Sequence, residues 1–395
     1  GTITVPKSVT LAATEGGSVK LSASNLTIDG DIFAPGGSLT LSANNLSLAA
    51  VNSADFNRVR PAPEAGSGRF TLGRGATLST AGLIVDDRAN GSTLLPPSIT
   101  GGTIAIAGFD VRLGRDSLVD VSGGVQLSTR GRVTYGNAGT LSITAGKDLH
   151  IAEAFSGGLF LGGRLRGYSG ARGGTMNLSA LAFQIGGGSA PSGVTHLDPS
   201  FFSQGGFAAF SLRGMGLPGA TYETPTPGIH VVAGTKLNPV VDSYLAVPNP
   251  VDGRGANLVR VTKPEGLRTP ASLSFQATGA SDSFNSGFPI VRGDLVVGQG
   301  SSIVTDGLGS VSLRGETATV LGRIVAPGGA ISVTGAGSFP LATESVTSVY
   351  IGANAVLNTA GKAIIRRGIN DWREGQILAG GTVNVTGNIV AESGS

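Results

Sequence analysis

Gly16-Gly17-Ser18-Val19-Lys20-Leu21 returns twenty residues later as Gly36-Gly37-Ser38-Leu39-Thr40-Leu41, and Asn25-Leu26-Thr27-Ile28 returns at the same offset as Asn45-Leu46-Ser47-Leu48. Each copy is a glycine pair followed by strict alternation of apolar and small polar residues. A period of two describes a strand with one buried and one wet face. Val19 and Leu21 are therefore expected inside, Ser18 and Lys20 outside. The unit recurs as Gly101-Gly102-Thr103-Ile104-Ala105-Ile106, Gly139-Thr140-Leu141-Ser142-Ile143 and Gly173-Gly174-Thr175-Met176-Asn177-Leu178. Late copies are Gly309-Ser310-Val311-Ser312-Leu313, Gly328-Gly329-Ala330-Ile331-Ser332-Val333 and Gly380-Gly381-Thr382-Val383-Asn384-Val385.

No segment between these strands has the length or composition of a crossover helix, so a βαβ fold is excluded. Short strands joined by glycine corners at a twenty-residue period instead predict an all-β, right-handed parallel β-helix, a solenoid with loop insertions. One rung cannot bury its own inner face, so each relies on its neighbours. At roughly twenty to twenty-five residues per rung the chain is expected to make about fifteen to eighteen rungs stacked at the strand spacing. Asn25 and Asn45, at equivalent corners, are expected either to stack as an amide ladder or to serve as ordinary turn residues.

The rhythm defines three regions: repeats over 1–190 with an irregular insertion near 51–68, Pro-rich irregular rungs and loops over 191–270, and repeats again over 271–395. The middle region holds ten of the nineteen prolines, and proline removes a ladder donor. Because the same unit flanks it on both sides, the expectation is one continuous solenoid.

Composition excludes other classes. The 395 residues carry 28 Lys+Arg against 25 Asp+Glu, with 13% charged, 5% aromatic and 40% hydrophobic residues. The apolar content is too high for charge-driven disorder. With no cysteine, disulfide frameworks, zinc fingers and iron–sulfur clusters are out of reach. No apolar run is long enough for a membrane-spanning helix, and the opening Gly1-Thr2-Ile3-Thr4-Val5 has no charged and apolar leader, so a signal peptide is expected to be absent or already removed. A net charge of +3, spread mainly as scattered arginines without aromatic platforms, argues against a nucleic-acid partner.

The Gly-Gly-Ser-Leu-Thr-Leu-Ser-Ala-Asn-Asn-Leu-Ser-Leu pattern over 36–48 resembles the filamentous-haemagglutinin family of bacterial exoproteins. Longer stretches carry the same resemblance: Gly139 to Ile151, Gly162-Gly163-Arg164-Leu165-Arg166-Gly167-Tyr168, Leu197-Asp198-Pro199-Ser200-Phe201-Phe202, Gly205-Gly206-Phe207 and Gly293-Asp294-Leu295-Val296-Val297-Gly298. The likeness implies two-partner secretion through an outer-membrane β-barrel transporter, and a secreted or cell-surface, outer-membrane-associated fibre. Family members are longer and begin with a secretion domain that is not recognisable here, so it also implies a central segment of a larger adhesin. Cysteine-free sequence fits a chain that crosses the periplasm unfolded.

The expected function is an adhesive, non-catalytic shaft contacting cell-surface glycans or proteins. One alternative is a polysaccharide-processing lyase or hydrolase, because β-helical enzymes share this architecture. Such hydrolysis needs paired carboxylates. Asp86-Asp87 is the only Asp pair, and none of His150, His196 and His230 lies between two glycines. Asp110, Arg112, Arg115, Asp116 and Asp120 form the best local charge cluster, which reads as self-compensating. No catalytic residue, cofactor or metal ligand is therefore expected. A further alternative is self-assembly, with open rungs stacking end to end.

Three surface features are candidates for binding. Arg164, Arg166, Tyr168 and Arg172 gather in a Gly-rich segment, and arginine forks suit carboxylates and sulfates. Arg292-Gly293-Asp294 is an integrin-type tripeptide, although turn chemistry alone accounts for it as a rung corner. Trp372, the sole tryptophan, sits in a polar loop where it is expected to stack on a sugar or to cover a solenoid edge. Asn25, Asn45, Asn90, Asn177 and Asn384 match the glycosylation sequon, mostly within strand patterns.

Overall fold

The computed structural model describes residues 1–45, 66–90, 96–146, 156–219, 224–248, 256–281, 289–336, 347–368 and 371–395, with backbone only at 89–90, 248 and 289. The chain divides into two compact units. One comprises Gly1–Ala180 with Gln204–Phe207 and Asp242–Val261; the other comprises Leu181–Ser203, Ala208–Val241 and Thr262–Ser395. Each is a stack of short strands paired in parallel, the architecture of a parallel β-helix. The helical segments named among the described residues are a single turn at Asp87–Asn90 and a 3-10 turn at Pro199–Ser203.

In the first unit each regular rung has three strands. One face stacks Ser18–Ala23, Ser38–Ala43, Thr103–Ala107, Thr140–Thr144 and Gly174–Ala180 in register. Alternation places Leu39, Ile104, Leu141 and Met176 in one interior column, and Leu41, Ile106, Ile143 and Leu178 in a second, all buried. The next face runs Thr2–Val5, Asn25–Ile28, Arg69–Leu72, Asp110–Leu113 and Leu159–Leu161. The third runs Thr10–Ala12, Asp31–Phe33, Thr77–Ser79, Leu118–Asp120 and Arg164–Arg166.

The second unit repeats the scheme. From the strand Phe207–Gly214, residues 209–214 pair with Ser272–Ala277, followed by Ser310–Gly315, Ala330–Gly335 and Thr382–Thr386. A second face stacks Val194–Leu197, Ala182–Ile185, Ile229–Val231, Asp294–Val297, Thr317–Val320, Val349–Ile351 and Ile389–Ala391. A third stacks Lys236–Leu237, Ser302–Val304, Arg323–Val325 and Val356–Asn358. Inside lies an aromatic cluster, with Phe202 centred 5.2 Å from Phe210 and 5.9 Å from Phe275. The Phe202–Phe275 pair meets edge to face, which suits the aromatic quadrupole.

The rung count differs from the arithmetic of a uniform repeat. Ser18 and Ser38 are register partners twenty residues apart, but Ser38 and Thr103 are register partners 65 apart. Inserted segments lie between them, and among the described residues the first face holds five strands in each unit, fewer than a uniform repeat predicts. A strand pair needs matching backbone edges and apolar registers, not a constant loop length, and long surface loops cost little closure entropy. Several insertions fold as antiparallel hairpins: Val125–Leu127 with Val133–Tyr135, Ser243–Pro248 with Ala256–Val261, and Ala363–Arg367 with Arg373–Ile377. Most of the insertion near 51–68, including Arg58, Arg60, Pro61 and Pro63, lies outside the described residues.

The amide-ladder expectation for Asn25 and Asn45 is corrected. Asn25 is the register partner of Arg69, whose backbone N–H donates to Asn25 Oδ1 at 3.0 Å. Asn45 follows the strand Ser38–Ala43, is buried, and its Oδ1 has no partner. The strand paired over Asn25 is Arg69–Leu72.

Candidate functional site

The arginine–tyrosine segment lies in the first unit. Arg164–Arg166 pairs with Leu118–Asp120, making Arg166 the register partner of Asp120. Period-two alternation sends Arg164 and Arg166 to one face, with the Arg166 guanidinium 4.0 Å from the Asp120 carboxylate. Tyr168 is not displayed. It is only 8% exposed, because Tyr244 from the hairpin Ser243–Pro248 packs over it with ring centres 4.9 Å apart. The hairpin is fastened by backbone bonds, Tyr244 N–H donating to the Ser169 carbonyl at 3.1 Å and Ala246 N–H to Tyr135 Oη at 2.9 Å.

Burial pushes the Tyr244 hydroxyl pKa above the ordinary tyrosine range, and the nearby Asp120 charge adds to the effect. Arg260 holds its proton more firmly through a hydrogen bond to Tyr168, with Asp242 3.5 Å away. The resulting cluster is Asp120, Arg166, Tyr168, Asp242, Tyr244 and Arg260. Among the described residues no hydrogen bond or ion pair ties Arg172 to this cluster: its N–H donates to Asn137 Oδ1 at 3.3 Å and its side chain is exposed. Sequence reasoning missed Asp242, Tyr244 and Arg260. Some 75 to 95 residues separate them from Arg166 and Tyr168, and no local pattern marks a loop that will fold back.

Arg292-Gly293-Asp294 occupies a rung corner in the second unit. Arg292 grips Asp294 through two bonds, of 2.6 and 2.8 Å, and Thr317 Oγ1 donates to the same carboxylate at 2.6 Å. Gly293 N–H donates to Glu316 Oε2 at 3.0 Å. Asp294 is 8% exposed. The Asp294 carboxylate is thus engaged within the rung corner by a guanidinium and a hydroxyl. Burial, with the Asp294 charge alongside, raises the Glu316 pKa.

Trp372 stands at the tip of the hairpin Ala363–Arg367 with Arg373–Ile377. The turn closes through Gly368 N–H donating to the Trp372 carbonyl at 2.8 Å, and the indole is 75% exposed. Among the described residues nothing packs over most of its surface. Ile365 and Ile377 on the same hairpin are 65% and 87% exposed.

Asp86, Asp110 and Asp116 are paired with arginines, whereas Asp87 has a neutral amide partner and its buried Oδ1 has none. Arg88 binds Asp86 through two bonds of 2.9 and 2.8 Å, and Gln126 donates to Asp87 at 2.8 Å. Asp110 lies 2.9 Å from Arg112 and 3.4 Å from Arg69, and Asp116 lies 3.0 Å from Arg74. Among the described residues no three acidic, histidine or cysteine side chains gather to hold a metal ion, and no helix is long and apolar enough to cross a membrane. His196 and His230 both pair in register with Gln184, and burial alone lowers the His230 pKa. His150 lies outside the described residues. Comparison with protein families, curated proteins and solved structures gave no match.

Proposed function

We propose that the chain is a structural and adhesive segment of a secreted bacterial surface fibre, a shaft whose work is mechanical and multivalent rather than catalytic. The observation that carries this reading is the division of labour between the repeats and the insertions. Interior columns such as Leu39–Ile104–Leu141–Met176 are wholly aliphatic or thioether, and hydrogen bonds between rungs leave the outward positions free to vary. The three most exposed large apolar side chains among the described residues, Ile377, Trp372 and Ile365, sit on one inserted hairpin. Weak contacts repeated along a stiff scaffold sum by avidity. The sequence resemblance to filamentous haemagglutinins supports export by a two-partner outer-membrane transporter and cell-surface glycans or proteins as targets.

Beads coated with folded protein should attach to cell layers or extracellular matrix more than beads coated with heat-unfolded protein. Equal attachment, combined with release of unsaturated products from acidic polysaccharides, would transfer the protein to the class of β-helical lyases.

A further inference from the structure

The hairpin Ala363–Arg367 with Arg373–Ile377 has two unlike faces. Its register opposes Ala363 to Ile377, Ile364 to Gln376, Ile365 to Gly375, Arg366 to Glu374 and Arg367 to Arg373. One face is anchored to the body of the second unit. Ile364 is buried beside Gly266, Lys362 Nζ donates to both Glu265 oxygens at 2.9 and 2.7 Å, and Arg366 donates to Glu374 at 3.3 Å. Charges on that face are matched and its apolar group is covered.

The other face is neither. Ile365 and Ile377 stand in solvent, and the indole of Trp372 projects from the tip. Arg367 and Arg373 are directly opposed across the strands, an arrangement that destabilises a hairpin unless an anion relieves it. The carboxylate of Asp371 is 3.6 Å from Arg367, both almost fully exposed, so water weakens that pair. Among the described residues no ion pair reaches Arg373.

We infer that this face docks onto an anionic lipid surface. Two opposed guanidiniums match phosphate headgroups bidentately. Flanking aliphatic side chains and a tip tryptophan match the boundary between headgroups and acyl chains, where indole is favoured. Bulky isoleucines in this setting favour lipid over a sugar, which would stack on the indole and leave them wet. The inference rests on the shaft being a contact-bearing surface fibre, and it names what one insertion touches.

Because Trp372 is the only tryptophan, its fluorescence reports this hairpin alone. Folded protein is titrated with vesicles of phosphatidylglycerol and phosphatidylcholine in equal parts, and separately with phosphatidylcholine alone. Expected are a blue shift and co-flotation with the anionic vesicles, both fading as salt rises. The double variant Arg367→Gln/Arg373→Gln should lower partitioning roughly thirtyfold, from the usual contribution of each basic residue at an anionic leaflet. Ile365→Ser/Ile377→Ser should lower it while leaving the circular dichroism unchanged, and Lys20→Gln should leave it intact. Unshifted emission without flotation overturns the inference. So does a shift produced only by a sulfated polysaccharide, or one produced by raising protein concentration without vesicles, which would assign the face to glycan or to a second copy. Bead attachment that persists while vesicle binding fails would sink this inference and leave the adhesive reading standing.

Discussion

Gly17 and Gly37 are stacked so closely that a Cβ on Gly37 would fall inside the van der Waals shell of the Gly17 carbonyl oxygen. That oxygen accepts the Ser38 N–H at 3.0 Å, so it cannot move aside without loosening the ladder. Gly102 sits over Gly37 in the same way, Gly139 over Gly102, Gly329 over Gly309 and Gly381 over Gly329. The first glycine of a pair has a different job: Gly16, Gly36 and Gly328 have φ of 71°, 62° and 62°, the left-handed region that disfavours a side chain.

The two roles separate on substitution. Gly37→Ala should cost about 2–3 kcal/mol, in the range of a backbone clash in a packed interior. Gly16→Ala, which meets nothing within 4 Å, should cost only the left-handed strain of about 1 kcal/mol. Thermal melts followed by circular dichroism would compare them, and equal shifts would refute the close-approach argument.

Arg268 and Asp306 form a bidentate pair with both bonds at 2.6 Å and side chains only 15% and 12% exposed. Asp306→Ala strands a guanidinium in a poorly hydrated site and should destabilise by about 3 kcal/mol. Arg74→Ala, which removes the exposed partner of Asp116, should be close to neutral by the same denaturation assay.

Glu316 makes stability depend on pH in an unusual direction. Its pKa is raised in the folded state, so folded protein binds the proton more tightly than unfolded chain. The resulting stabilisation is fully present below the ordinary glutamate value and is lost as pH rises through the raised folded value. Melting temperature measured upward from the ordinary value should therefore fall less steeply in Glu316→Gln than in the parent. Parallel profiles for the two would rule out this group as the source.

Tyr244→Ala should free the hairpin Ser243–Pro248 with Ala256–Val261. The substitution removes the stack on Tyr168 and its buried area, together about 2–3 kcal/mol. Limited proteolysis should then cut within the hairpin several-fold faster while strands such as Thr103–Ala107 stay protected; unchanged cleavage would show that backbone bonds alone hold it.

The parts that were legible in the chain are those that repeat. Leu39 and Leu41 alternate with Ser38, Thr40 and Ser42, and Gly36-Gly37 precedes them, so face, period and corner follow from a dozen residues. The number of rungs was not legible, because Ser38 and Thr103 pair across an insertion whose length the repeat does not constrain. Of the candidate positions, Arg166 and Tyr168 stand together, but sequence order hid that Tyr244 covers Tyr168 and that Thr317 bonds Asp294. Trp372 was visible as an outlier in composition; its two exposed isoleucine neighbours and the opposed arginines needed the hairpin register.

Alternation and paired glycines were enough, without coordinates, to dictate stacked parallel strands with an apolar interior, since a pleated backbone offers only two faces and water sorts the side chains between them. Which insertions fold back, which charges find one another, and which apolar groups are left outside were decided by the tertiary structure. Those contacts join residues as distant as Glu265 and Lys362, and their energy exists only once the intervening rungs have brought the ends together.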